Sequence, residues 1–334
     1  MKRLIACMVA LLSLSGCTAS QPVSNKIKIG VTVYDSYDTF ISELMDNFDT
    51  DMTGYSNITL QKYDASKTQS QQNKQVEKMI EDGCNVICVN LVDRTAPKKI
   101  IDLAKASDVP IIFFNRELVA EDLQQWSGLY YIGANAEESG VMEGKIAANA
   151  WKASAAADKN SDGIIQYVVM EGEAGHQDAI VRTEKSVNTL IDSGLQVDKL
   201  ASPIANWNKS QAQTRMASLI TQYKDSVEMV LCNNDDMALG VIDAYRAAGL
   251  SREQWPIIVG IDGTKPGLEA VANGEMAGTV YNNKEGQASA MADLAVALAS
   301  KESTSSLNLE DGKYIRLAYE PITSSNVNEY IDQK

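Results

Sequence analysis

Short runs of β-branched and aliphatic residues alternate with longer stretches in which apolar side chains recur every three or four positions. Ile27–Val33 predicts a strand, and the segment after it keeps Phe40, Ile41, Leu44, Met45, Phe48 and Met52 on one helical face. Ile58–Tyr63 predicts the next strand and residues 69–81 a helix. Val86–Val89 is a near-continuous apolar run, as expected of a strand buried on both faces of a parallel sheet. A helix over about 96–106 leads to a strand at Pro110–Phe114. The pattern then restarts with a helix over 137–151 and a strand at Ile164–Met170. Helices at 178–192, 210–223 and 236–247 then alternate with strands at Leu195–Ala201, Glu228–Cys232 and Ile257–Gly260. A short strand at Gly278–Tyr281, a helix at 286–300 and a last strand at Tyr314–Tyr319 close the chain. Repeated βα units predict an α/β fold, and two successive sets predict two doubly wound parallel-sheet domains.

In such sheets ligands sit beyond the carboxyl ends of the strands. The polar residues expected there are Asp38 (with Phe40), Asn90, Asn115, the His176 group, Asn206-Trp207, Asn233-Asn234-Asp235, Asp262 and Asn282. Taken singly, each Asn or Asp reads as a turn former or helix N-cap, and Phe40 reads as core. Trp207, between two Asn residues, has less reason to be core. Taken together, amides, carboxylates, one Arg, the only His and two aromatics suit a neutral polyhydroxylated ring. Planar polar groups fix its hydroxyls, and aromatic faces cover its C–H faces.

The 334 residues suit two domains. A formal net charge of −14 argues against nucleic acid, whose phosphates demand a basic face. The start changes the picture of address. Met1-Lys2-Arg3, the apolar run Leu4–Leu14 and then Ser15-Gly16-Cys17 look like a bacterial lipoprotein signal. The run is too short to span a bilayer. Residues 1–16 are therefore expected to be a signal peptide, Cys17 a lipidated N-terminus and 17–26 a tether. Cys84, Cys88 and Cys232 remain as an odd set with no disulfide framework, expected to be small buried hydrophobes.

Asp158-Lys-Asn160-Ser-Asp162-Gly163 carries its own chemistry. Oxygen-bearing side chains at alternate positions with a Gly at the turn read as a calcium loop, to which the Ile164 carbonyl and Gln166 would add oxygens. The twelfth position, where an EF-hand has a bidentate Glu, is Val169 inside a strand-like run. The loop is therefore expected to enter a strand and to take its last carboxylate from elsewhere in the chain. Beyond that strand, His176, Asp178 and Arg182 cluster at a Gly-rich turn opening a helix.

An enzyme is the main competing class, with His176 beside Asp178 as a candidate base. The chain has no Gly-x-Ser-x-Gly, no Walker loop and no Gly-x-Gly-x-x-Gly after its first strand. A sugar-responsive repressor would carry an N-terminal helix-turn-helix in place of the leader.

The stretches Ile29-Gly-Val-Thr-Val-Tyr34, Asn90-Leu-Val-Asp93, Pro110-Ile-Ile-Phe-Phe-Asn115, the calcium loop, Gly172-Glu-Ala-Gly-His-Gln-Asp178 and Asn233-Asn-Asp-Asp-Met-Ala-Leu-Gly240 carry a resemblance. With them the chain, from Lys28 to about Lys334, resembles the periplasmic galactose/glucose-binding proteins of sugar ABC transporters. The resemblance implies a type I periplasmic binding protein fold and no catalysis. It implies sugar ligands at Asp38, Asn90, His176, Asp178, Arg182, Asn234, Asp262 and Asn282, with Phe40 and Trp207 sandwiching the ring. It puts the missing calcium carboxylate on Glu228, beside Asp158, Asn160, Asp162, Ile164 and Gln166. It places hinge crossings near Val109-Pro110, Tyr281-Asn282 and Arg316-Leu317. The domains are then 27–109 with 282–316, and 110–281 with 317–334. The implied partners are glucose or galactose, ABC permease subunits and, for some members, a chemoreceptor, around a monomer held to the cell membrane only by its lipid. Lipidation at Cys17 departs from the freely periplasmic members of the family. Asp35-Ser36-Tyr37 differs at the cleft edge, where selectivity is set. Ribose and xylose on the same fold are the competing ligands.

Overall fold

The computed structural model describes residues 26–331; the signal peptide, Cys17 and nearly all of the expected tether lie outside them. Strands form where β-branched and aliphatic residues bunch, and helices where the apolar period lengthens. The first run of units is β1 (Ile27–Val33), α1 (Thr39–Met52), β2 (Ile58–Asp64), α2 (Gln69–Glu81), β3 (Val86–Val89), α3 (Lys98–Ser107), β4 (Ile111–Phe114), the single turn α4 (Ala120–Leu123) and β5 (Leu129–Ala134). The second is α5 (Ala136–Ala153), β6 (Ile164–Met170), α6 (Gln177–Asp192), β7 (Gln196–Ala201), α7 (Lys209–Tyr223), β8 (Met229–Cys232), α8 (Asp235–Ala247), β9 (Ile257–Asp262), α9 (Lys265–Ala272) and β10 (Gly278–Asn282). The chain ends with α10 (Lys284–Ser300), β11 (Tyr314–Leu317), β12 (Tyr319–Thr323) and α11 (Val327–Ile331).

Two six-stranded sheets result, with orders β11-β5-β4-β3-β1-β2 and β12-β10-β9-β8-β6-β7. Every neighbouring pair is parallel except β10 with β12. Both faces of each sheet are covered. In β6, Val168 and Met170 enter one apolar cluster while Ile165, Tyr167 and Val169 enter the other. That two-sided burial explains why these strands read as continuous apolar runs.

The chain passes between the sheets three times. It leaves the first lobe after β5, because α5 packs on β8, β9, β10 and β12. It returns between Asn282 and Lys284, since α10 packs on α1, β1 and β3, and crosses again at Ala318 between β11 and β12. The crossing expected near Val109-Pro110 is corrected. β4 pairs with β3 on one side and β5 on the other, so residues 110–134 belong to the first lobe. Gly133 interrupts the run of β5, which the apolar pattern alone does not predict. The first lobe is thus 26–134 with 284–317, and the second 136–282 with 319–331. Tyr281-Asn282 and Arg316-Leu317 lie beside the second and third crossings. The single last strand expected at Tyr314–Tyr319 is two, one in each sheet.

Candidate functional site

A cavity lies between the carboxyl ends of the two sheets, where open α/β sheets place their ligands. From the first lobe it is lined by Tyr34, Asp38, Phe40 and Ile41 beyond β1 and by Asn115 and Arg116 beyond β4. Asp38 is the N-cap of α1: its Oδ1 accepts from the Ile41 amide at 3.0 Å, and its Oδ2 accepts from the Tyr34 hydroxyl at 2.5 Å. Capping fixes the carboxylate in place, so its remaining lone pairs are already aimed. Phe40 is buried in the lobe's core cluster and presents part of its ring to the cavity. The Arg116 guanidinium lies 3.7 Å over the Tyr34 ring, donates to the Val92 carbonyl at 2.7 Å and pairs with Glu173 of the second lobe at 3.0 Å.

The second lobe contributes His176, Asp178, Arg182, Trp207, Asn234 and Asp262. His176 is the N-cap of α6; its Nδ1 accepts from the Asp178 amide at 3.1 Å. Burial, opposed by Asp178 and reinforced by Arg116, Arg182 and Arg94, lowers its pKa to about 3. The ring is therefore neutral at ordinary pH, and with Nδ1 accepting, Nε2–H is the donor. Arg182, four residues after Asp178, lies 3.2 Å from that carboxylate and 3.8 Å from Asp262. It also donates to the Asn233 carbonyl at 2.9 Å and the Tyr319 hydroxyl at 3.1 Å. Burial works against its charge, yet Tyr319, Asp178 and Asp262 hold it firmly protonated. Burial raises the Asp262 pKa despite Arg182 nearby, with Asp235 and Asp38 adding to the rise.

Trp207 stands edge-on to His176 with ring centroids 5.1 Å apart, and its indole lies against Gly172, where a Cβ would come within 2.2 Å of the ring. Glycine is needed there. Asn206 and Trp207 both take positive φ (52° and 60°), as do Asn115 (62°) and Asp262 (118°). Strained backbone of this kind persists where the surroundings over-determine it, and clusters at functional sites. The lobes also touch directly. Thr39 donates to Asp236 at 2.9 Å, and Arg94 to Gln177 at 2.6 Å.

Eight of the ten residues expected around a ligand thus line one cavity. Asn90 does not. Its carboxamide accepts from the Tyr34 amide and donates to the Phe114 carbonyl and Asn115, tying the ends of β1, β3 and β4 together. Asn282 also stands behind the wall, where it accepts from Gln287 at 2.6 Å. Tyr34, Ile41, Asn115 and Arg116 were not among the expected ligands. The strand-end rule already singled out Asn115, and extending it by one residue would have included Arg116.

The 158–166 loop closes on itself. Asp158 accepts from the Asp162 and Gly163 amides, Asn160 from the Asp162 amide, and Asp162 from the Ile164 amide and the Gln166 side chain. Buried Glu228 accepts from the Lys159 and Gln166 amides at 2.7 and 3.1 Å, which brings its carboxylate to the loop. Burial raises its pKa, and the Asp158 and Asp162 charges add to the rise. Asp158, Asp162 and Glu228, with the Asn160 and Gln166 carboxamides, are oxygen donors of the kind a hard cation takes. Among the described residues no three His, Cys, Asp or Glu side chains converge to ligating distance. The loop enters β6, with no following helix. Cys84, Cys88 and Cys232 are free and buried.

This geometry defines a two-lobed solute receptor. Residues 29–303 match the periplasmic binding protein domain family. The chain belongs to that family and is a sugar ABC transporter substrate-binding protein, extracytoplasmic by its family and not an enzyme. It is 33% identical over 324 residues, 96% of each chain, to the D-galactose/methyl-galactoside binding periplasmic protein MglB of Haemophilus influenzae. It is 30% identical to a xylitol-binding protein of Mycolicibacterium smegmatis, over 96% of this chain and 84% of that one. A solved solute-binding protein of Bacillus halodurans C-125 with bound myo-inositol has a TM-score of 0.78 at 26% identity, covering 94% of this chain and all of that one. No helix among the described residues is long and apolar enough to cross a membrane.

Proposed function

We propose that the chain captures a hexopyranose, D-glucose or D-galactose, between its lobes and delivers it to the permease subunits of an ABC transporter. The observation that carries this is the pairing of Phe40 from one lobe with Trp207 from the other around a single cavity whose remaining wall, Ile41 apart, is hydrogen-bonding. A pyranose offers flat C–H faces to two rings; an open-chain polyol does not. Asp38, Asp178, Arg182, Asn234, Asp262 and neutral His176 then take the hydroxyls, with Asn115 in place of Asn90. Charged partners make such bonds about twice as strong as neutral ones. Titration calorimetry with D-galactose, D-glucose, D-ribose and xylitol tests the class. The two hexoses should bind at least about tenfold more tightly, a difference of roughly 1.4 kcal/mol. Tighter binding of xylitol or ribose would overturn the hexose assignment.

The same reading includes a structural calcium ion held by Asp158, Asn160, Asp162, the Ile164 carbonyl, Gln166 and Glu228, tying the loop to the start of β8. It also includes a monomer anchored through a diacylglycerol on Cys17. Mass spectrometry of the membrane fraction checks the anchor: an unmodified N-terminus beyond residue 17 contradicts it.

A further inference from the structure

The turn from Asp262 to Lys265 carries a cavity carboxylate on backbone at φ +118°, followed by Gly263 at +63°. Its polar backbone groups have side-chain partners in succession. The Gly263 amide donates to Thr279 Oγ1 at 3.3 Å, and the Thr264 amide to Asp235 Oδ2 at 2.9 Å. Both partners belong to the second lobe. The other two come from the first. Lys284, the buried opening residue of α10, donates from Nζ to the Gly263 carbonyl at 2.9 Å. Glu43 of α1 accepts from the Lys265 amide at 2.9 Å. Its other oxygen forms a close ion pair with Lys284 Nζ at 3.2 Å, and that ammonium lies 4.9 Å over the Tyr281 ring.

A strained φ is kept only while its surroundings over-determine it, and half of this grip arrives when the lobes meet. We infer that Glu43 and Lys284 are positioning residues: docking of α1 and α10 completes the hold on the Asp262 turn, so the carboxylate reaches its ligand-binding geometry only in the closed protein. The inference rests on the closed-cleft reading above. Neither residue lines the cavity; both act through the turn. In the open protein the ligand meets the second lobe without this clasp, so association is insensitive to it and dissociation is not.

The test is stopped-flow kinetics with D-galactose and D-glucose on the full chain, with melting of the sugar-free protein alongside. Lys284→Met and Glu43→Gln should each speed dissociation about tenfold, the size expected for losing a charge-assisted bond, with association changed less than about threefold. Lys284→Arg should recover most of the loss. In an Asp262→Asn background, Lys284→Met should add little. Glu43, partly exposed, keeps the test open if Lys284→Met folds poorly. Unchanged dissociation in Glu43→Gln, or a Lys284→Met effect that persists undiminished beside Asp262→Asn, overturns the inference. A wild-type chain that binds neither hexose overturns the reading it rests on, and this inference with it.

Discussion

Sheet order is the same in both lobes, with one added edge strand each, so the ends of β1 and β4 come to face the ends of β6, β8 and β9. The edge strands differ: β11 joins its sheet parallel and β12 antiparallel. The larger difference is chemical. The first lobe meets the cavity with Tyr34, Phe40, Ile41 and Asn115, and each of its two charged groups is engaged outside the cavity, Asp38 by capping and Arg116 by Glu173. The second lobe buries Arg182 among Asp178, Asp262 and Tyr319, with neutral His176 beside them. All of these groups belong to the second lobe, and only the Asp262 turn draws on the first, through Glu43 and Lys284. One lobe therefore supplies most of the polar receptor, and the other is a lid that adds an aromatic face and clasps the Asp262 turn.

The largest effect should come from breaking the receptor's charge balance. Arg182→Ala leaves Asp178 and Asp262 buried without their cation and should cost about 3–5 kcal/mol in folding stability, with ligand binding lost. Asp38→Ala, on the lid, should weaken binding by about 1–3 kcal/mol and shift the melting temperature much less, since it removes one cap and one acceptor. Equal effects of the two variants on melting would dissolve the comparison. Trp207→Ala should cost about 1–3 kcal/mol of affinity and remove most of the ligand-induced change in tryptophan emission. Gly172→Ala should reproduce part of that loss by displacing the indole without deleting it.

Next in size is the calcium loop. At a calcium concentration one hundred times its dissociation constant, binding only the folded state would add about 2.7 kcal/mol. Chelation should lower the melting temperature by several degrees and barely touch sugar affinity, because the loop lies at the amino end of β6, away from the cavity. Glu228→Ala should mimic chelation. Identical melting in chelator and in excess calcium, with no terbium luminescence, contradicts the metal.

Much of this was legible in the sequence, for identifiable reasons. Two-sided burial writes itself as apolar runs, so β1, β3, β6 and β8 were plain. Asp38, His176 and Asn234 were found because each must end a strand and cap a helix at once, and capping restricts residue type. Asn90 shows the limit of that signal: a carboxamide at a strand end looks alike whether it turns to a ligand or ties neighbouring strands, and only the tertiary structure assigns its bonds. Arg116 sits one residue past the strand-end set, and its contacts depend on Tyr34 and on Glu173, 57 residues away. α9 was overlooked because Lys265-Pro266-Gly267 reads as a turn, although Pro is at home in a helix's first turn and Thr264 caps it.

The smallest expected effect is on pH dependence, and the second lobe's groups oppose each other. His176, lowered to about 3, refuses a proton that the unfolded chain accepts below about 6.5, so its contribution to stability falls as pH drops through that window. Asp235 is raised to about 7 by burial, and Asp236 to about 6 by burial. Their contributions are full below the ordinary carboxylate value and are lost as pH rises through those values. Asp235→Asn should therefore remove a fall in melting temperature between about pH 4 and 7, and His176→Gln a rise between about pH 3 and 6.5. No change in either variant would mean these groups are solvated.

The most direct test of the receptor-and-lid account is a crystal structure of the chain grown with D-galactose. The account predicts one pyranose in the cleft with its faces against Phe40 and Trp207, its hydroxyls on Arg182, Asp178 and Asp262 of the receptor and on Asp38 and Asn115 of the lid, and none on Asn90. A sugar bound outside the cleft, or held by the first lobe alone, would contradict it.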